Sequence, residues 1–344
     1  MVAAMFRVVD LKADGQLEIR EDVEDIGLPP DGSLRWVDLA GEAGALDRLR
    51  AEFSFHPLAI DDCKQFDQRP KLEEYRDHLF SVTQGFSWAD PASPGNDPET
   101  ENEVQGFKLH GLQLHELHAF LGKNYLVTVH ADAIPAVQEV WQRVTIDASL
   151  LGRGVDFVYY LIASRLVEAN FPILDRLTDA LEELEDRVLS APAKADLARI
   201  FELKRRLVLM RKVLSPQRDT MAMLGRRGDP RVSERTSHYF RDVHDQLVRL
   251  NESIEANRDL LSNALDAYLS AVSNRTNEIM KYLTLLSAIF LPLAFIVGFF
   301  GQNFEDLPGL PQWTRSHALM YAMLVLCVAT PVLMLTWFRS RRWI

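Results

Sequence analysis

The stretch "YLTLLSAIFLPLAFIVGFFGQNF", Tyr282–Phe304, contains no Asp, Glu, Lys, Arg or His. A second stretch, Ala318–Phe338, has the same character except for a single polarizable Cys327 and a few hydroxyls. A bilayer core about 30 Å thick needs on the order of 20 apolar residues in a helix. Both stretches meet that length, so the sequence predicts two transmembrane helices, at 282–300 and 317–338. A buried hairpin of a soluble protein fits poorly, because soluble core helices rarely exceed roughly 14 uninterrupted apolar positions. Between the spans, residues 301–316 form a loop that opens on Gly301-Gln302-Asn303 and continues through Glu305 and Asp306.

The charges around the spans predict their orientation. Lys281 precedes the first span, and the tail 339–344 carries Arg339, Arg341 and Arg342. The connecting loop has Arg315 as its only base, with His317 just beyond it. Basic flanks favour the cytoplasm, so both ends are expected inside and the loop outside, in an inner (cell) membrane. Trp313 and Trp343 suit the two interfaces. The N-terminus "MVAAMFRVVDLKADG" has no apolar run of signal-peptide length, so the large N-terminal part is expected to stay in the cytoplasm.

The rest of the 344 residues reads as globular, with 47% hydrophobic and 25% charged residues overall. A net charge of -11 argues against a nucleic-acid partner. Two cysteines, Cys63 and Cys327, make a disulfide framework improbable. Residues 1–150 alternate strand-like runs ("FRVVDL", "SLRWVDL", "HLFSVTQGF", "GLQLHELHAF", "NYLVTVH") with short helices ("GALDRLRAEF", "IPAVQEVWQRV"). They predict an α+β domain with a largely antiparallel sheet. Residues 151–281 read as a helical bundle. Its segment "DFVYYLIASRLVEANFPILDRLTDALEELEDRVLS" reads as one long helix, bent at Pro172. A proline-free run after Pro230 carries Phe240, Val243, Leu247, Leu250, Ile254, Leu261, Leu265, Tyr268 and Val272 at threes and fours. That heptad-like seam predicts one helix from Ser233 to Phe300, on the order of 100 Å long, entering the first span unbroken.

On a seven-residue grid the first span carries a stripe of mostly small or polar residues: Asn277, Met280, Thr284, Ser287, Leu291, Ala294, Gly298 and Gly301. Two readings remain open. Small residues allow close helix packing in membranes. Alternatively the stripe is a pore wall, with amides at both mouths and Met280 or Leu291 as an apolar constriction. Two helices enclose no aqueous path, so a pore requires several copies around an axis. Magnesium sheds its waters reluctantly, and a ring of neutral Asn303 oxygens suits the hydrated ion. Glu305 and Asp306 would then concentrate cations, or else simply form a solvated loop.

The region "YLSAVSNRTNEIMKYLTLLSAIFLPLAFIVGFFGQNF" (Tyr268–Phe304) and the tail "RRWI" resemble the signature of the CorA family of magnesium and cobalt channels. "HPLAIDDCKQFDQRPKLEEYRDHLF" (His56–Phe80) and "SHYFRDVHDQL" (Ser237–Leu247) are similar to its cytoplasmic domain. The resemblance spans nearly the whole chain. It implies a CorA-like funnel: a homopentamer with two spans per subunit, the first lining the pore, and a cytoplasmic domain that senses Mg2+ between subunits. By position it implies Gly301, Gln302 and Asn303 as the selectivity filter. Asn277, Met280, Leu283, Leu291, Ala294 and Gly298 fall on pore-lining positions, and Asp266 on a regulatory metal position partnered near Asp90. Three departures bear on the ion. Gln302 replaces the family's usual methionine, Gly309 follows Pro308 where an acid is usual, and Ala294 stands for a threonine. The zinc-transporting, ZntB-like branch shares such variation, and "SPQRD" (Ser215–Asp219) resembles it too.

His110, His115 and His118 invite a zinc reading, but residues 115 and 118 of one strand point to opposite faces. The acidic run Asp179–Leu189 reads as a solvated helix face. No nucleophile elbow, phosphate loop or zinc-protease motif is present. The expectation is therefore a non-enzymatic divalent-cation channel for Mg2+ or Co2+, gated by intracellular Mg2+, with no organic cofactor. The alternatives are a zinc transporter, with or without proton coupling, and a membrane-anchored coiled-coil scaffold without flux.

Overall fold

The computed structural model describes residues 5–21, 23, 26–41, 44–88, 103–104, 107–108, 111–190, 192–226, 228–300, 317–341 and 343. The chain runs β1 (Met5–Leu11), β2 (Leu17–Glu21), β3 (Leu34–Ala40), α1 (Gly44–Phe53), α2 (Pro57–Lys64), β4 (Lys71–Glu74) and β5 (Leu79–Trp88). It continues with β6 (Glu103–Val104), β7 (Phe107–Lys108), β8 (Leu112–Leu121), β9 (Tyr125–His130), α3 (Pro135–Ile146) and α4 (Ser149–Gly152). Five helices complete it: α5 (Val155–Glu168), α6 (Phe171–Ser190), α7 (Lys194–Leu224), α8 (Glu234–Phe300) and α9 (His317–Ser340). Two compact units result, Met1–Asp266 and Ala267–Ile344.

The first unit is built on a seven-stranded sheet, ordered β2-β1-β3-β9-β8-β5-β4. Its pairings are antiparallel except β3 with β9, as the hairpin-rich sequence predicts. On one face Val8, Val37, Leu39, Val82, Phe120, Val127 and Val129 pack with Leu46, Leu49 and Phe53 of α1 and Ala59, Ile60 and Cys63 of α2. On the other, Trp36 meets Trp141 of α3 at 5.0 Å. The Tyr159 hydroxyl of α5 donates to Ser81 Oγ and pairs with Thr83 Oγ1, each at 2.7 Å. With both faces covered, β5 and β8 read as near-continuous buried runs.

β4 ends before β5 does, which leaves β5 with an edge. Side-chain amides cover it: Gln84 N donates to Gln217 Oε1 of α7 at 2.7 Å, and Phe86 N to Asn170 Oδ1 at 3.3 Å. An uncovered edge of this length would template association.

The predicted single helix across Pro172 is instead two. α5 ends at Glu168 and α6 begins at Phe171. Asn170 is fully buried and donates through Nδ2 to the carbonyls of Leu166 and Val167, at 2.8 and 3.0 Å. It satisfies the orphan carbonyls of α5, while Pro172 occupies the first turn of α6, where its missing N–H costs nothing. α6 buries Ile173, Leu174, Leu177, Leu181, Leu184 and Val188. Of the acidic run, Asp179, Glu182, Glu183 and Asp186 are exposed, as read from the pattern, and Glu185 is half-buried.

α8 is the predicted long helix. Its N-terminus is capped by Ser233, whose Oγ accepts from Thr236 N at 3.2 Å and whose own N–H donates to Asp156 Oδ2 at 2.8 Å. Just before it, Arg231 reaches Glu74 Oε1 (2.9 Å), Asp229 Oδ2 (2.7 Å) and the Tyr75 carbonyl (2.6 Å). The seam Phe240, Val243, Leu247, Leu250 and Ile254 is fully buried, and Leu261, Ala264 and Tyr268 continue it. Its missing step is Asn257, buried and donating to Thr178 Oγ1 of α6 at 2.9 Å. Val272, predicted to extend the seam, is 40% exposed. No element among the described residues covers α8 there, so the burial pattern ends while the sequence pattern runs on.

Candidate functional site: the charge-free end of α8

Beyond Lys281, α8 has no charged residue, and its apolar window averages a hydropathy of 2.2. The window in α9 averages 2.0. Both helices are long and apolar enough to cross a membrane. Proline interrupts both, at Pro292 and Pro331, without ending either.

The helix divides by face. Between Lys281 and Phe299, Leu285 alone is buried, and Ala288, Ile289, Pro292, Leu293 and Ile296 are half-buried. At 3.6 residues per turn these six share one side. Asn277, Met280, Leu283, Thr284, Ser287, Leu291, Ala294 and Gly298 are all exposed, and most fall on the opposite side. Leu291 is 77% exposed. A side chain added at Gly298 would meet nothing within 4 Å. Among the described residues, nothing packs against this stripe closely enough to require its small side chains.

One hydroxyl on the stripe has a fixed direction. Thr284 Oγ1 donates its proton to the Met280 carbonyl at 2.7 Å. With that proton committed to the helix, its outward lone pairs can only accept. A threonine in this state offers a cation or its hydration water an oxygen and no competing donor.

The predicted residues are placed unequally. The eight pore-lining candidates lie on α8 as described. Gly301, Gln302, Asn303, Glu305, Asp306 and Asp90 lie outside the described residues. Asp266 is exposed on α8 and makes no ion pair among the described residues. Among those residues, no three His, Cys, Asp or Glu side chains converge so as to hold a metal ion.

His115 and His118 lie on opposite faces of β8. His115 Nε2 pairs with Ser87 Oγ at 2.7 Å. His118 Nδ1 meets Cys63 Sγ at 3.1 Å and Nε2 meets Glu116 Oε1 at 2.6 Å. Burial pushes the Cys63 thiol well up, so it stays protonated and inert. Glu116 also accepts from Gln68 N at 3.2 Å and Gln84 Nε2 at 2.7 Å. Sequence reasoning missed this buried network. The signal for it was two polar residues at spacing two, Glu116 and His118, on one face of a strand that runs into the apolar Ala119, Phe120 and Leu121.

A second buried cluster pins the central strands. Asp38 accepts from Thr128 Oγ1 (2.6 Å), His130 Nε2 (3.1 Å) and the Arg7 guanidinium. Burial alone would raise its carboxyl; the His130 hydrogen bond and charge, with Arg7 and Thr128, outweigh that and hold it below the ordinary range.

Residues 31–342 match the family described as CorA-like Mg2+ transporter protein. The chain belongs to that family. The cobalt/magnesium transport protein CorA of Thermotoga maritima is 31% identical over 327 residues, covering 94% of this chain and 87% of that protein. The putative metal ion transporter YfjQ of Bacillus subtilis is 33% identical over 318 residues, covering 91% of each. Among solved structures, the complete CorA magnesium transporter of Methanocaldococcus jannaschii aligns over the whole of both chains with a TM-score of 0.78 at 22% identity. The fold is therefore the CorA fold: an α+β domain, a long helix and two C-terminal apolar helices. The family is one of divalent-cation transporters rather than enzymes.

Proposed function

We propose that the chain is a homopentameric channel for divalent cations, Mg2+ first and Co2+ also, with its stripe on α8 turned toward a central aqueous path. One observation carries this reading. Among the described residues the side of α8 with Asn277, Thr284, Ser287, Ala294 and Gly298 is exposed, as are Leu286, Phe290 and Phe295, while the covered line runs through Leu285, Ala288, Ile289, Pro292, Leu293 and Ile296. Copies around an axis would close that side around water. Thr284 then contributes an acceptor-only oxygen, and Met280, Leu283 and Leu291 form apolar rings that gate by dewetting.

In this reading Gly301, Gln302 and Asn303 form the outer filter. Asn303 oxygens receive the hydrated ion, and Glu305 and Asp306 raise its local concentration. Residues 282–300 and 317–338 span an inner membrane, residues 301–316 face outside, and both termini are cytoplasmic. Cytoplasmic Mg2+ held between subunits at Asp266 and Asp90 favours a closed state, and its loss lets the subunits shift.

Replacing Asn303 by Ala in the reconstituted protein is expected to abolish selective Mg2+ uptake into liposomes while pentamers still form. Mg2+ flux unchanged from the native protein would refute the filter assignment. Zinc transport is the second reading, favoured by Gln302, Pro308-Gly309 and Ala294 in place of the more usual residues. Zinc flux exceeding magnesium flux, with or without an imposed proton gradient, would select it. No flux of any divalent ion would return the chain to the scaffold reading.

A further inference from the structure

A cavity of about 280 Å³ opens in the first unit where β5 and β8 meet α3 and α5. Its walls are apolar: Ile134, Pro135 and Ala136 from the start of α3, and Leu166 and Ala169 from the end of α5. Its polar depth is the His115–Ser87 pair, with Nε2 and Oγ 2.7 Å apart. His115 is 8% exposed. Its cross-strand partner is Gly85, where a Cβ would stand 2.9 Å from the Leu166 carbonyl, so the missing side chain is what lets α5 approach β5 beside the cavity.

The rim is charged and unbalanced. Arg165 bridges Glu139 Oε1 at 3.1 Å and Glu168 Oε2 at 2.8 Å, and Ser164 Oγ donates to Glu168 Oε1 at 2.8 Å. Two carboxylates therefore face one guanidinium. The guanidinium gives Nε to Glu139 and Nη1 to Glu168, and two carboxylates against one guanidinium leave one negative charge unbalanced, so an incoming anion meets surplus negative charge. A cation meets carboxylate oxygens with a net deficit of positive charge. Burial, the largest influence, holds the His115 pKa below its ordinary value, so the imidazole at the bottom is neutral and does not repel a cation. The volume lies just under the roughly 300–1,000 Å³ of sites for drug-sized ligands, and the walls are greasy.

We propose that this cavity binds a small organic cation: a primary ammonium on a short apolar chain, with the ammonium at Glu139 and Glu168 and the chain between Ile134 and Leu166. The site is distinct from the ion path on α8 and does not depend on the transport reading.

The test is isothermal titration of the detergent-solubilised full-length protein with n-butylammonium, alongside butyrate, MgCl2 and ZnCl2. The expected result is saturable butylammonium binding, none of butyrate, and at least a tenfold loss of affinity in the Glu139→Gln/Glu168→Gln double variant. A second variant, Ala136→Phe, fills the cavity from the first turn of α3 with both rim carboxylates kept, and is expected to abolish binding while the protein remains folded. Absence of saturable butylammonium binding, equal binding of butyrate, or unchanged affinity in both variants would overturn the proposal. So would displacement of butylammonium by Zn2+ at equimolar concentration, which would make the site a metal site.

Discussion

Asp38→Asn is expected to destabilise the first unit by about 3 kcal/mol, and the structure sets that size. Asp38 is fully buried at the sheet centre and accepts from Arg7, Thr128 and His130. Asparagine keeps the shape and one acceptor oxygen, but puts an amide donor where a carboxylate oxygen met donors. Breaking a buried charge pair by removing one partner costs about 3–5 kcal/mol. The Arg7 side chain retains 19% exposure, so water recovers part of that loss and the low end applies. At roughly 2–4 °C per kcal/mol for a unit of this size, the unfolding midpoint falls by about 6–12 °C.

Tryptophan fluorescence is a suitable probe, because Trp36 Nε1 donates to Thr128 Oγ1 at 3.0 Å within the same cluster. The pH dependence supplies a sign. The folded carboxyl lies below its unfolded value, so its contribution is complete above the unfolded pKa and is lost as pH falls through the folded one. The gap between native protein and variant is therefore widest near neutrality and narrows in acid. A midpoint shift under 1 °C at pH 7, or a gap that grows on acidification, would refute the reasoning.

Three further outcomes are expected. Gly85→Ala should destabilise the first unit by about 1–3 kcal/mol, since its Cβ would stand 2.9 Å from the Leu166 carbonyl and backbone must move; thermal unfolding matching the native protein would count against that packing. Asp266→Asn should weaken inhibition of flux by internal Mg2+ and shift the dose response to higher concentration; an unaltered curve would remove Asp266 from the regulatory role. Gln302→Met should move the Mg2+-to-Zn2+ flux ratio toward Mg2+ in liposomes; an unchanged ratio would show that this position does not tune the ion.

The sequence by itself determined the parts with long, strict patterns. The absence of charge over 282–304 and the threes-and-fours of Phe240 to Ile254 left one long helix as the only economical reading, because bilayer thickness and helical period are unforgiving constraints. Five strands of the sheet, β1, β3, β5, β8 and β9, announced themselves by β-branched and aromatic runs, whereas the charged edge strands β2 and β4 did not; the opposition of His115 and His118 followed from strand geometry alone.

Tertiary structure decided what depends on residues far apart in the chain. The break at Asn170 needed the Leu166 and Val167 carbonyls and the open edge of β5 to receive one buried amide. The cavity beneath Arg165 needed two helices and two strands to converge, and the pairing of Cys63 with His118 joined residues 55 apart in sequence. Which side of α8 is bare was undecidable from its period, since a periodic stripe looks the same whether lipid, protein or water faces it. Only the half-buried line from Leu285 to Ile296 tells the sides apart.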